Sequence, residues 1–176
     1  MKAFRVLTVL LAICMLLCGC KDSNQPSASQ PTAAAEIPSG DEIQMQTLER
    51  NGVRFTLPSD FYDYSDSPIG QGHSFLYGND SMGIIGDETA KEDAGVASLM
   101  EFAEATAAQY GTKAVQKDGF WTVSYEDPEA NETQSILCVF YETEDSFWII
   151  HTYCPAQILD SCQEDMWHYA TAAEFL

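Results

Sequence analysis

The stretch QSILCVFYETEDSFWIIHTY, residues 134–153, reads as two apolar strands folded back on each other. Both halves are rich in β-branched and aromatic residues, and Glu144-Asp145 supplies the turn between them. A hairpin centred there pairs residues whose numbers sum to 289, so Cys138 opposes His151 on one face. That face also carries Ile136, Phe140, Ile149 and Tyr153, which reads as core. Hairpin succession needs no crossover, so the sheet built on this pair is expected to be mainly antiparallel.

Upstream, Val53-Arg54-Phe55-Thr56-Leu57 alternates apolar and polar residues as a half-buried strand that Pro58 stops. Residues 73–77 and 82–85 read as strands joined near Gly78-Asn79-Asp80. Asp93 can cap a helix running to Tyr110, with Val96, Leu99, Met100, Ala103, Ala107 and Tyr110 as its apolar stripe and Gly111 as its stop. Strands at 114–116 and 120–125 follow, then the hairpin. Pro155 suits the first turn of a last helix carrying Ile158, Leu159, Cys162, Met166, Tyr169, Ala170 and Ala173 on one side. The expected fold is a single α+β domain over 43–176, with about six mainly antiparallel strands and two main helices packed on them. Trp121, Trp148 and Trp167 fall on those strands or the last helix and read as core.

Ahead of the domain stand two segments of different character. Lys2 and Arg5 precede an apolar run from Val6 to Leu17, broken only by Thr8 and too short for the roughly 20 residues that span a bilayer. Leu17-Cys18-Gly19-Cys20 then closes the leader. That run resembles the lipobox of bacterial lipoproteins, and the resemblance implies cleavage after residue 19 and a diacylglyceryl thioether on Cys20. Residues 1–19 are then a signal peptide, and the expected location is extracytoplasmic and membrane-anchored. Two acyl chains on one residue give stable anchoring where a single short chain binds only marginally. Residues 20–42 are rich in Ser, Pro, Ala and Gln without apolar periodicity, a tether with an r.m.s. span of about 25 Å.

Removing residues 1–19 takes away two of the 8 basic residues and none of the 27 acidic ones, leaving six against 27, a net −21. Such a charge disfavours nucleic acid and anionic headgroups as direct partners, since both are gripped by Lys and Arg. The expected partners are the membrane, through the lipid on Cys20, and an envelope protein. Of the 6 cysteines, Cys14 and Cys18 leave with the leader and Cys20 carries the lipid, so Cys138, Cys154 and Cys162 remain. Cys154 lies on the opposite face from Cys138, and Cys162 sits on the helix that returns from it. Cys154 and Cys162 are therefore the candidate disulfide, with two buried thiols as the alternative.

Catalytic signatures are missing. Gly72-His73-Ser74-Phe75-Leu76 opens like a nucleophile elbow but has Leu where the second Gly is required, so Ser74 reads as a strand residue. Asp127, Glu129 and Asn131 alternate like a calcium loop, but Glu132 and Cys138 stand where Gly and a bidentate Glu are needed. Asn131-Glu132-Thr133 matches a glycosylation sequon by chance spacing. No catalytic residue, metal or cofactor is expected. Cys138 and His151 are the weak candidate pair, since a Cys–His contact can activate a thiolate. A small hydrolase or thiol enzyme using them is the alternative to a non-enzymatic binding or assembly module. Phe61, Tyr62 and Tyr64, interleaved with Asp60, Asp63 and Asp66, are the candidate exposed binding patch; the alternative packs their rings on a sheet edge.

The element order resembles the Mog1/PsbP-like fold, as do Phe55-Thr56-Leu57-Pro58-Ser59-Asp60-Phe61, Asp118-Gly119-Phe120-Trp121 and Phe147-Trp148-Ile149-Ile150. Members of that fold serve as assembly factors, small-GTPase binders or exported lipoproteins. The resemblance therefore implies a binding or accessory role by analogy.

Overall fold

Asn51 and Gly52 both adopt positive φ, 50° and 76°, and turn the chain between β1 (Met45–Arg50) and β2 (Val53–Pro58). An Asn-Gly pair meets that demand with little strain. The computed structural model describes residues 43–128 and 132–176; the leader, Cys20, the tether, Glu129 and Asn131 lie outside them. Along β2, Val53, Phe55 and Leu57 are buried while Thr56 faces solvent, the period of two that the sequence carries.

Next come β3 (Tyr62–Asp63), β4 (Phe75–Gly78) and β5 (Gly83–Ala90). The helix expected from Asp93 is instead two. α1 (Lys91–Ala94) is one turn ended by Gly95 at φ 67°, and α2 (Leu99–Gln109) starts afresh. Ser98 caps α2, its Oγ accepting from the Glu101 N–H at 3.2 Å, while the Glu101 carboxylate accepts from the Ala97 N–H at 2.8 Å. The capping position is thus Ser98, not Asp93, because Gly95 breaks the run between them. This rotates the stripe: Phe102, Ala103, Thr106 and Ala107 are buried, and Met100 and Tyr110 are exposed.

The second half runs β6 (Val115–Lys117), β7 (Phe120–Asp127), β8 (Gln134–Glu142) and β9 (Ser146–Pro155). A 3₁₀ turn then leads to α3 (Leu159–Thr171) and β10 (Glu174–Phe175). The main sheet has the order β3-β4-β5-β9-β8-β7-β6, seven strands rather than about six, and every pairing is antiparallel. A separate three-stranded sheet, β1-β2-β10, holds two strands that the sequence reading omitted. The β8–β9 register pairs Cys138 with His151 and Glu142 with Phe147, as the 289 rule requires.

α2 lies on one face of the main sheet, where Phe102 meets Phe140 at 6.0 Å and Phe147 at 5.1 Å between ring centres. α3 and the small sheet cover the other face over Val139, Trp148 and Ile150. Tyr141 donates to the Ala170 carbonyl at 2.7 Å and ties α3 to β8. Of the three tryptophans, Trp148 is buried, and Trp121 and Trp167 are half-buried against the two cores.

Candidate functional site

Two features of the main sheet carry chemistry, one on each face. On the α2 face, Cys138 and His151 are opposed across β8 and β9, with Sγ 3.2 Å from Nδ1. Asp87 on β5 lies one pair further along the same face, opposite Ile149. Its Oδ1 is 2.7 Å from His73 Nδ1, and its Oδ2 is 3.2 Å from His151 Nε2. The second approach is an ion-pair distance that misses hydrogen-bond geometry, so His151 Nε2 is buried without a hydrogen bond. The result is a polar chain, Cys138–His151–Asp87–His73, laid diagonally over three strands and the loop before β4.

Burial opposes charge on His151, but Cys138 and Asp87 outweigh it and raise the imidazole well above its ordinary value. Burial likewise opposes ionisation of Asp87, and the two histidines overcome it, holding the carboxyl well below the usual range. Cys, His and Asp in this order have the connectivity of an activated thiol. Access is what the thiol lacks. Cys138 is 0% exposed and is walled by Phe102, Ala103, Phe140 and Phe147 under α2. Among the described residues, no three or more His, Cys, Asp or Glu side chains converge on a metal position. The sequence reading found the Cys–His pair but not Asp87 or His73. Asp87 reads as an ordinary strand-end residue until β5 is placed beside β9.

Cys154 and Cys162 are brought into the same buried cluster and are free thiols. Burial, with Cys162 adding to it, pushes the Cys154 thiol up to about 11. Cys138 is on the other face, as the register requires, and is also a free thiol. The aromatic patch is smaller than expected. Phe61 is buried and packs edge-on against Tyr169 at 5.5 Å, so it belongs to the core. Tyr62 and Tyr64 remain exposed, 61% and 38%, with ring centres 6.3 Å apart. Ser74 stands just ahead of β4, its backbone N–H bonded to the Gly86 carbonyl, with no helix behind it.

On the opposite face α3 stands over the outer strands and leaves a groove of about 650 Å³. Leu159, Gln163, Met166 and Trp167 form the helix wall, and Val115, Thr122, Ser124, Ser135 and Leu137 form the floor. The cause lies in the side chains of β7. Where β8 and β9 offer Val139, Leu137 and Ile150 to α3, β7 offers Thr122, Ser124 and Glu126. The apolar core therefore ends at β8, and the helix overhangs a polar strand. Ser135 Oγ is buried there with no hydrogen-bond partner among the described residues, and Lys117 Nζ sits 4.0 Å from the Trp167 ring centre. A second depression, of about 720 Å³, lies beside α1 and α2. It is wide open, rimmed by Glu92, Glu101 and Glu104, and lined by no unpartnered buried group.

No family model matches the sequence, and no curated protein does. Solved structures do. The solution structure of cyanobacterial PsbP (CyanoP) from Synechocystis sp. PCC 6803 has a TM-score of 0.50 at 10% identity, covering 81% of this chain and 99% of that one. A Bacteroides thetaiotaomicron VPI-5482 crystal structure gives 0.45 at 14% identity, over 71% of this chain and 45% of that one. The Pseudomonas aeruginosa protein of unknown function PA94 gives 0.37 at 11%, over 73% and 94%. The CyanoP likeness supports a PsbP-like fold. At this identity it speaks to the fold alone.

Proposed function

We propose that this chain is an exported lipoprotein, held to the membrane through Cys20, whose PsbP-like domain is a non-enzymatic binding module. The groove between α3 and the strands β6 to β8 is its ligand site. One observation carries the reading: a roomy cleft, walled by Leu159, Met166 and Trp167 alongside Gln163 and Glu164, holds a buried hydroxyl, Ser135, with no hydrogen-bond partner among the described residues. Buried polar atoms are nearly always partnered, and a convergent polar group in an apolar cleft is the usual mark of a ligand site. The leader, the proline-spaced tether and the acidic surface support the placement outside the membrane plane.

The test has two limbs. Cys20→Ser is expected to move the protein into the soluble or unprocessed fraction; membrane retention at wild-type size would refute the anchor. For the groove, protein purified from its native membrane is denatured and the released molecules are compared with those from Ser124→Trp, which fills the floor. A species released by the wild type alone supports the site, and identical extracts refute it.

One observation favours a second reading, a thiol enzyme: Asp87 stands where the orienting residue of a Cys–His pair would stand. The sealed position of Cys138 weighs against it.

A further inference from the structure

The floor and walls of the groove differ in a way that selects among ligands. Three hydroxyls lie along the floor: Thr122 and Ser124 on β7, and Ser135 on β8 beside Glu126. Thr122 Oγ1 donates to the Val115 carbonyl at 3.2 Å and keeps its lone pairs; Ser135 Oγ, in a residue 5% exposed, has no partner among the described residues. The facing wall presents Leu159, Met166 and Trp167, with Gln163 and Glu164 also lining it. An acyl chain would satisfy the wall and leave the hydroxyls unmet. An extended peptide meets both, since each residue brings one N–H and one C=O while alternate side chains point one way.

Length and charge narrow the choice. Lys117 pairs with Phe120 at one end of the groove, and Glu126 closes the other. The six steps along β7 between those levels span about 20 Å at strand spacing. Lys117 is a cation whose partner is the Trp167 ring, and Glu126 is an exposed carboxylate with Glu164 on the helix rim beside the groove. Opposite ends of the groove thus carry opposite charge.

We infer that the groove takes an extended peptide of about six residues, apolar at alternate positions, with its amino end at Glu126 and its carboxylate end at Lys117. The inference rests on the groove being the ligand site. The peptide's backbone hydrogen-bonds to Ser124 and Ser135, and its apolar side chains meet Leu159, Met166 and Trp167.

The experiment uses the full mature chain on phosphatidylcholine vesicles, dialysed to equilibrium against a pool of free hexapeptides with Val, Leu or Ile at alternate positions. Parallel arms offer the same pool acetylated and amidated, and octanoate alone. The free pool is expected to be retained, the capped pool about tenfold less, and Ser124→Trp to abolish retention. Glu126→Lys is expected to weaken it about tenfold. Both substituted positions are exposed, so the variants keep the fold, which thermal melting checks. Retention unchanged in Ser124→Trp overturns the inference. Octanoate retained in a Ser124-dependent way, with no peptide held, overturns it while the binding-module reading stands. No peptide or octanoate held, together with identical extracts from native membrane, removes both.

Discussion

Cys138 Sγ and His151 Nδ1 meet at 3.2 Å across the central strand pair, with the thiol fully enclosed and the imidazole backed by Asp87. The arrangement has the connectivity of a nucleophile and the burial of a core residue. Those two properties make different predictions about reactivity.

With Cys138 enclosed, N-ethylmaleimide reaches it only when the domain opens. Alkylation of the folded protein should be slower than that of the urea-unfolded chain by a factor of about 10³ or more, the scale set by opening equilibria. Mass spectrometry of the modified peptide reads this directly. Labelling of native Cys138 at the rate of a free thiol would revive the thiol-enzyme reading.

The same chain sets a pH dependence. His151 has a raised folded value, so its stabilisation is complete below about pH 6.5 and is lost as pH rises through that raised value. Asp87 has a depressed value, so its share is complete above about pH 3.9 and is lost as pH falls through the folded value. The network is therefore strongest between about pH 4 and pH 6.5. Asp87→Asn is expected to cost about 2 kcal/mol near pH 6, with the deficit narrowing toward alkaline pH. Urea unfolding from pH 5 to 9 measures it; a deficit that widened with pH would contradict the assignment.

Packing over β5 gives a sharper stability test. A Cβ on Gly86 would run into the Phe75 ring, which is buried and stacks on Tyr77 at 5.1 Å. Gly86→Ala is expected to destabilise by about 2–3 kcal/mol, the scale of overpacking in a filled core. Gly52→Ala probes something else, since its Cβ meets nothing and the cost comes only from a φ of 76°. Chemical denaturation should rank Gly86→Ala as the more damaging, and the reverse order would place the strain in the turn.

Cys154 and Cys162 share one buried cluster as free thiols while Cys138 is held on the other face. Thiol mapping in denaturant should find Cys138, Cys154 and Cys162 all free. Treatment of the folded protein with diamide should then bridge Cys154 to Cys162 alone, slowly, because burial keeps the Cys154 thiolate scarce. A bridge that includes Cys138 would mean that the two faces are wrongly assigned.

Much of this was legible in the chain, and the reasons differ by element. The β8–β9 register follows from one turn, because Glu144-Asp145 fixes every pair behind it. The α2 boundary did not follow, since Asp93 and Ser98 are both competent caps and only the left-handed Gly95 decides between them. β1 was hidden because its residues face mostly outward and Leu48 is its only apolar residue packed on the core. Asp87 joins Cys138 and His151 diagonally across three strands, a relation that no spacing in the sequence records. The groove was hidden for a similar reason. It exists because α3 overhangs β7, and the polar face of a strand next to the sheet edge reads in sequence as ordinary solvent exposure.

The claim that this groove is an occupied binding site is tested most directly inside the cell. A photo-reactive benzoylphenylalanine replaces Ser124 on the groove floor, and separately Glu104 on the exposed face of α2, in the full-length chain. Irradiation of intact cells should give discrete covalent adducts at position 124 and none at position 104, with the adduct mass mapping to a peptide. No adduct at 124, or the same adducts at both positions, would contradict the account.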